Sequence, residues 1–302
     1  MTRRSTTLAA LALTLLVATS ACGGGSDPLE AGGTDDDALV IGSQQYYSNT
    51  IIAEIYAQLL EADGRTVERE FEIGQREVYA SELENGAIDV FPEYTGALLQ
   101  YYDEEAGSGS PEAIYDSLVE ALPEELTVLD PADATDQNEF VVTPEYAEEH
   151  DLTEIGDLSD VSDIVIAGSP EFESRPFGPG GLSEVYGVEV DVQVISDSGG
   201  PLTVNALLDG EVDMTATIYS ANPAIAQHDL VVLEDPAGLL PAAALVPVVS
   251  DRVDDDARTV LNEAQSLLTQ EELLELNSRS VDDQTSPEVL ASDWIDEHGL
   301  EG

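Results

Sequence analysis

Residues 83–96, LENGAIDVFPEYTG, decide the fold, because the chain repeats their pattern at residues 208–220, LDGEVDMTATIYS. Gly86, Asp89, Tyr94 and Thr95 answer to Gly210, Asp213, Tyr219 and Ser220, with one extra residue in the second copy. Asn85-Gly86 and Asp209-Gly210 suit the left-handed turn that closes a helix, a conformation a β-carbon disfavours. A short strand is predicted to follow each turn, with the Tyr at or just past its carboxyl end. In open α/β sheets ligands bind at that edge. Two such halves would each present one Tyr to a shared cleft. The alternative is that both Tyr are ordinary core or surface residues.

Working outward, residues 39–43 read as a buried strand. Residues 50–62 read as a helix, with Ile51, Ile52, Ile55, Tyr56, Leu59 and Leu60 along one stripe. A strand over 66–71, a helix over 76–84, a strand over 87–91 and helices over 95–102 and 111–122 complete an α/β half with mainly parallel pairing. Ser110 before Pro111 forms an N-cap and N1 pair. Beyond it, strands are predicted over 140–143, 163–167, 190–195, 212–216, 230–233 and 245–249, with a helix over 202–209. From Asp254 onward the chain reads as mostly helical, and its last helix holds Trp294. Such a block would return to cover the first half. The chain would then cross between halves twice, near 138–141 and 243–247, making a hinge that can close a cleft.

Composition restricts the partners. The 302 residues include 63 acids, nine Arg and no Lys, for a formal net charge of −54. There is no basic patch to neutralise phosphates, which argues against nucleic acid. With 42% hydrophobic residues in recurring segments the chain is expected to fold. The acidity suits a high-salt milieu, where screening shortens the Debye length to about 3 Å near 1 M salt. A cation-attracting field is a second reading of the same charge.

Arg3 and Arg4, an apolar run over 8–17 and small residues before Cys22 describe an export signal over 1–21, too short to span a membrane. The one Cys of the chain stands at this junction. It resembles a bacterial lipobox, with Thr19 in place of the usual aliphatic residue, which implies lipidation of Cys22. Plain secretion is the alternative. Residues 22–38, rich in Gly and Asp, read as a flexible tether. One Cys cannot form an internal disulfide.

The run IGSQQYYSNTIIAEIYAQLLEADGRTVEREFEIGQREVYASELENGAIDVFPEYTG at 41–96 resembles the start of osmoprotectant-binding proteins, the glycine betaine, carnitine and choline receptors of ABC importers. SPEFESRPFGPGGLSEVYG at 169–187, the repeat at 208–220 and LVPVV at 245–249 agree with it. The resemblance implies an α/β, two-lobed type II periplasmic-binding fold, with lobe I formed by 39–138 plus 246–302 and lobe II by 139–245. It also implies a tyrosine box around a quaternary ammonium, which cannot donate N–H bonds and is best met by aromatic faces. Tyr94 and Tyr219 resemble two of its walls, Gln44 a polar contact, and Arg175 a partner for a ligand carboxylate. Asn138 and Ala243 stand where many members carry Tyr, and Ala97 where they carry Thr. Tyr46 or Tyr47 is then the candidate for a replacement wall.

The resemblance further implies a small osmolyte and an ABC permease as partners, a monomer held at the cell membrane by its lipid, and no cofactor. A receptor for another small polar or zwitterionic solute is the nearest alternative. A sensor subunit that signals occupancy is a third. An enzyme on the same fold is disfavoured: there is no Lys for a Schiff base, and no Ser-His-Asp or metal-ligand spacing. Asp89 and Asp213 read as structural contacts, and His150, His228 and His298 as surface residues.

Overall fold

The computed structural model describes residues 38–103, 106 and 109–300. The predicted export signal, Cys22 and nearly all of the tether lie outside them. The strands among the described residues are β1 (Leu39–Gly42), β2 (Val67–Glu70), β3 (Val90–Tyr94), β4 (Leu126–Val128), β5 (Val141–Val142), β6 (Ile164–Gly168), β7 (Val190–Val194), β8 (Met214–Thr215), β9 (Val231–Val232) and β10 (Leu245–Ser250). They form two five-stranded sheets, ordered β2-β1-β3-β10-β4 and β7-β6-β8-β5-β9. The helices are α1 (Tyr47–Ala62), α2 (Arg76–Glu84), α3 (Thr95–Tyr102), α4 (Pro111–Ala121), α5 (Pro144–Glu149), α6 (Pro179–Tyr186), α7 (Pro201–Leu208), α8 (Ala224–Gln227), α9 (Asp255–Leu267), α10 (Gln270–Asp282) and α11 (Pro287–His298). None of them is long and apolar enough to cross a membrane.

The repeat covers a whole supersecondary unit. β1 runs parallel to β2 and β3, and β6 runs parallel to β7 and β8, with a helix between successive strands. Mainly parallel pairing holds for that unit only. β10 is antiparallel to β3 and β4, and β5 is antiparallel to β8 and β9. Each sheet takes this antiparallel strand from chain that has just arrived from the other sheet.

Local chemistry explains why the two motifs look alike. Gly86 at φ 75° and Gly210 at φ 71° end α2 and α7 in the left-handed region. The Asp that follows clamps the neighbouring strand. Asp89 N–H donates to Val40 O at 2.7 Å, and its Oδ2 accepts from Val40 N–H at 2.9 Å. Asp213 does the same to Val165, at 2.8 Å in both bonds. The residues before each Asp are held by the preceding helix end: Ala87 and Ile88 N–H donate to Glu82 O, and Val212 N–H donates to Ala206 O. β3 therefore starts three residues later than predicted, and β8 is only two residues long.

Helix α1 starts three residues before the predicted 50–62, because its first turn is polar and carries no apolar periodicity. Those polar groups are buried and used: Asn49 Oδ1 accepts from Gln44 N–H at 2.8 Å, and Asn49 Nδ2 donates to Pro92 O at 2.9 Å. The stripe of α1 shares one core with Leu261, Leu273 and Trp294 of α9, α10 and α11, as predicted for the helical return. Gln265 ties that return to both neighbours. It accepts from Tyr56 Oη at 2.8 Å and donates to Leu245 O at 2.8 Å. The second sheet has its own core around Phe140, Ile164, Ile166 and Met214.

Candidate functional site

The hydroxyl residue after each repeated Tyr holds a crossing segment. Ser220 N–H donates to Gln137 O at 2.9 Å, Ser220 Oγ accepts from Gln137 N–H at 3.1 Å, and the same hydroxyl donates to Thr135 O at 3.3 Å. Thr95 repeats the pattern on the other crossing: to Ala244 O at 3.0 Å, from Ala244 N–H at 3.0 Å, and to Ala242 O at 3.5 Å. Gly96 is required beside it, since a β-carbon there would meet Ala242 O at 2.4 Å and Pro241 Cβ at 2.6 Å. The two Tyr are thereby fixed where the chain passes between sheets.

A cavity opens at this place. Tyr46, Tyr94 and Tyr219 line it, with Phe172 and Phe177. Gln44, Asn138 and Arg175 also line it, so six of the seven predicted site residues meet in one wall. Tyr47 is the seventh; it is not in the lining and packs against the core of α1. Ala97 and Ala243 face the same space, so the positions expected to carry Thr and Tyr leave bare wall there.

Tyr46 is the N-cap residue of α1, and its ring stacks on that of Tyr219 with centroids 5.1 Å apart and planes 19° from parallel. Tyr94, the last residue of β3, is 4% exposed. Its hydroxyl is buried and makes no well-formed hydrogen bond, although the Tyr46 and Ser48 hydroxyls adjoin it. Burial raises the Tyr46 and Tyr94 phenols well above their ordinary range, and burial together with Asp136 pushes Tyr219 up to about 12. All three rings stay neutral and offer electron-rich faces.

The polar residues divide by what holds them. Asn138 pairs with the backbone of Tyr219, and its Nδ2 donates to Ala216 O at 2.8 Å, steadying the turn that carries Tyr219. Arg175 reaches across to α2, where it pairs with Glu77 at 3.0 Å rather than with the neighbouring Glu171. Gln45 Nε2 donates to Ser198 Oγ at 3.2 Å on another line between the halves.

Two charged groups in the wall had no sequence forecast. Arg76 is clasped in two-pronged fashion by Glu93, at 2.8 and 2.7 Å, and the Tyr79 hydroxyl donates to the same carboxylate. The signal available was an Arg, one of nine, opening the helix that leads into PEYTG. Asp136 is 4% exposed, and its Oδ1 accepts from Ala221 N–H at 3.0 Å. Burial pushes its carboxyl up to about 6, against the lowering effect of the Ser48 hydroxyl and that N–H. No His or Cys among the described residues lines the cavity. Its chemistry is that of holding a small polar or cationic molecule against aromatic faces.

A family model described as the substrate-binding domain of ABC-type glycine betaine transport systems matches residues 37–297. The glycine betaine-binding protein YehZ of Escherichia coli is 26% identical over 224 residues, spanning 70% of this chain and 73% of its own. A glycine-betaine-binding protein of Pseudomonas aeruginosa is 27% identical over 275 residues, spanning 86% and 87%. The crystal structure of a glycine betaine/carnitine/choline ABC transporter superposes with a TM-score of 0.70 at 22% identity, over 87% of this chain and 100% of that one. Lactococcal OpuAC, closed on glycine betaine, gives 0.62 at 16%, over 88% and 98%. The architecture is thus the two-lobed type II periplasmic-binding fold.

Proposed function

We propose that this chain, which belongs to the family of substrate-binding domains of ABC-type glycine betaine transport systems, is an extracytoplasmic receptor. It captures a quaternary-ammonium osmoprotectant of the glycine betaine, carnitine or choline type and hands it to the permease of an importer. The observation that carries this reading is the convergence of Tyr46, Tyr94 and Tyr219, from three separate segments, on one cavity between the sheets. A trimethylammonium group gains from every aromatic face it meets and needs no hydrogen-bond acceptor. Tyr46 supplies the wall that Asn138 and Ala243 leave out. Gln44 and Asn138 are the polar contacts, and Arg175 takes a ligand carboxylate by exchanging it for Glu77.

In this reading residues 39–138 with 246–302 form one lobe and 139–245 the other, closing about the segments held by Thr95 and Ser220. Residues 1–21 are an export signal, Cys22 carries lipid, and the tether to residue 38 leaves a monomer at the membrane surface. The net charge of −54 adapts it to high salt. It has no catalytic role.

Calorimetric titration in roughly 1–3 M salt, chosen to screen the charge, tests the assignment. Saturable binding of glycine betaine, carnitine or choline is expected, weakened by Tyr94→Ala. A folded protein that binds none of the three overturns it. A second reading, a receptor for a different small polar or zwitterionic solute, is favoured by the bare wall at Ala97 and Ala243, and that negative result would leave it standing.

A further inference from the structure

We infer that Arg76 is a second guanidinium donor to the bound solute, beside Arg175, so that the site selects quaternary amines that carry their own carboxylate over plain tetraalkylammonium ions. This rests on the cavity being a quaternary-ammonium site and names the class of that ligand it takes.

Arg76 opens α2 and lines the cavity, yet it is only 4% exposed. Glu93 takes the inner fork of its guanidinium, Nε and Nη2, at 2.8 and 2.7 Å. The outer fork, between Nη1 and Nη2, keeps its N–H groups, and among the described residues nothing accepts from Nη1. A buried donor left unpaired is costly, more so when it is charged. That outer fork has the shape that holds a carboxylate by two parallel bonds. Ala97 and Ala243 bring no polar side chain to the wall, and an acceptor carried by the solute meets the fork directly.

Arg76 is also held still. The Tyr79 hydroxyl donates to the fully buried Glu93, and Glu93 Oε2 accepts from Tyr94 N–H at 3.0 Å. The fork therefore keeps a fixed place relative to Tyr94, which sets the spacing between carboxylate and ammonium in the solute. Arg175 differs. Its partner Glu77 has a side chain 44% exposed, and a solute carboxylate reaches Arg175 only by exchange. Arg76 needs no exchange, because Glu93 and a second carboxylate use different forks of one guanidinium. The added negative charge is balanced by the solute's own ammonium, which is left for the faces of Tyr46, Tyr94 and Tyr219. The two guanidiniums share a neighbourhood: burial raises the Tyr219 phenol most, and Arg175 and Arg76 both act to lower it.

The test titrates the full chain, wild type and Arg76→Lys, with glycine betaine and with tetramethylammonium chloride at one high salt concentration. Lys keeps the charge beside Glu93 but has no second fork. Glycine betaine should bind wild type roughly tenfold tighter than tetramethylammonium, and the Lys variant should lose roughly tenfold for glycine betaine but less than about twofold for tetramethylammonium. Equal losses for both ligands would mean that Arg76 acts only by holding Glu93 and Tyr94, and they overturn the inference; so does an unchanged affinity for glycine betaine. Tetramethylammonium bound by wild type at least as tightly as glycine betaine overturns it too, and leaves the quaternary-ammonium site intact. Binding of neither ligand by folded wild type overturns both. Should the Lys variant fail to fold, Arg175→Ala decides: glycine betaine should still bind at least about threefold tighter than tetramethylammonium, and loss of that preference overturns the inference.

Discussion

The three phenols of the cavity wall are not interchangeable. The Tyr219 ring stacks on Tyr46 and comes from the turn that follows β8. Tyr219→Ala removes one face from the ligand and the support of another, and should weaken ligand binding by about 1–2 kcal/mol, roughly 5–30-fold, as calorimetric titration would read. Tyr94 is a core residue, and its hydroxyl has no well-formed hydrogen-bond partner. Tyr94→Phe should therefore leave urea stability unchanged to within about 0.5 kcal/mol, whereas Tyr94→Ala should cost about 3–5 kcal/mol. A large loss in the Phe variant would mean that the hydroxyl is bonded after all. Tyr94, Tyr219, Gln44 and Arg175 were legible because each sits in a motif. Arg76 and Asp136 were not. Glu93, the partner of Arg76, lies 17 residues away, and nothing in a chain with 63 acids marks one of them as buried.

At the level of elements, the repeated hydroxyls do what the repeated tyrosines cannot. Thr95 and Ser220 each tie the backbone beside a cavity Tyr to one crossing segment by three hydrogen bonds of the same pattern. Ser220→Ala and Thr95→Val should each cost about 1 kcal/mol in urea unfolding, and the double variant their sum, because they hold different crossings. A double variant no less stable than either single one would mean the crossings are not independent. Gly96→Ala forces apart α3 and the return segment at Ala242 and should cost about 1–3 kcal/mol. Element order was readable from the glycine caps and apolar spacing. Strand limits were less so: a side chain of Asp89 or Asp213 that substitutes for a ladder partner leaves no mark in a periodicity. The three-residue strand β4 was missed because it is too short to show alternation.

For the molecule as a whole, two separate sources make acidification stabilising, and they respond differently to salt. The first is repulsion within a net charge of −54, which weakens as surface carboxylates protonate and which screening removes. The second is Asp136, buried and screened little. Its folded-state carboxyl sits at about 6, above the ordinary 3.8. Between those values the folded state binds the extra proton, so its stabilising contribution is full below about pH 4 and is lost as pH rises through about 6. The displacement corresponds to about 3 kcal/mol as an upper figure. At about 0.1 M salt both sources act together. At about 2 M the first is screened, and the remaining pH dependence near 6 should belong to Asp136. Asp136→Asn is then expected to be more stable than wild type at about pH 7.5, without ligand, by up to about 3 kcal/mol, with the difference closing by about pH 4. Urea unfolding of both forms across that range would measure it. Parallel profiles at high salt would mean that Asp136 is solvated or paired in the empty site. The converging profiles expected here would mean that the fold keeps Asp136 as a buried carboxylate whose ionisation costs stability.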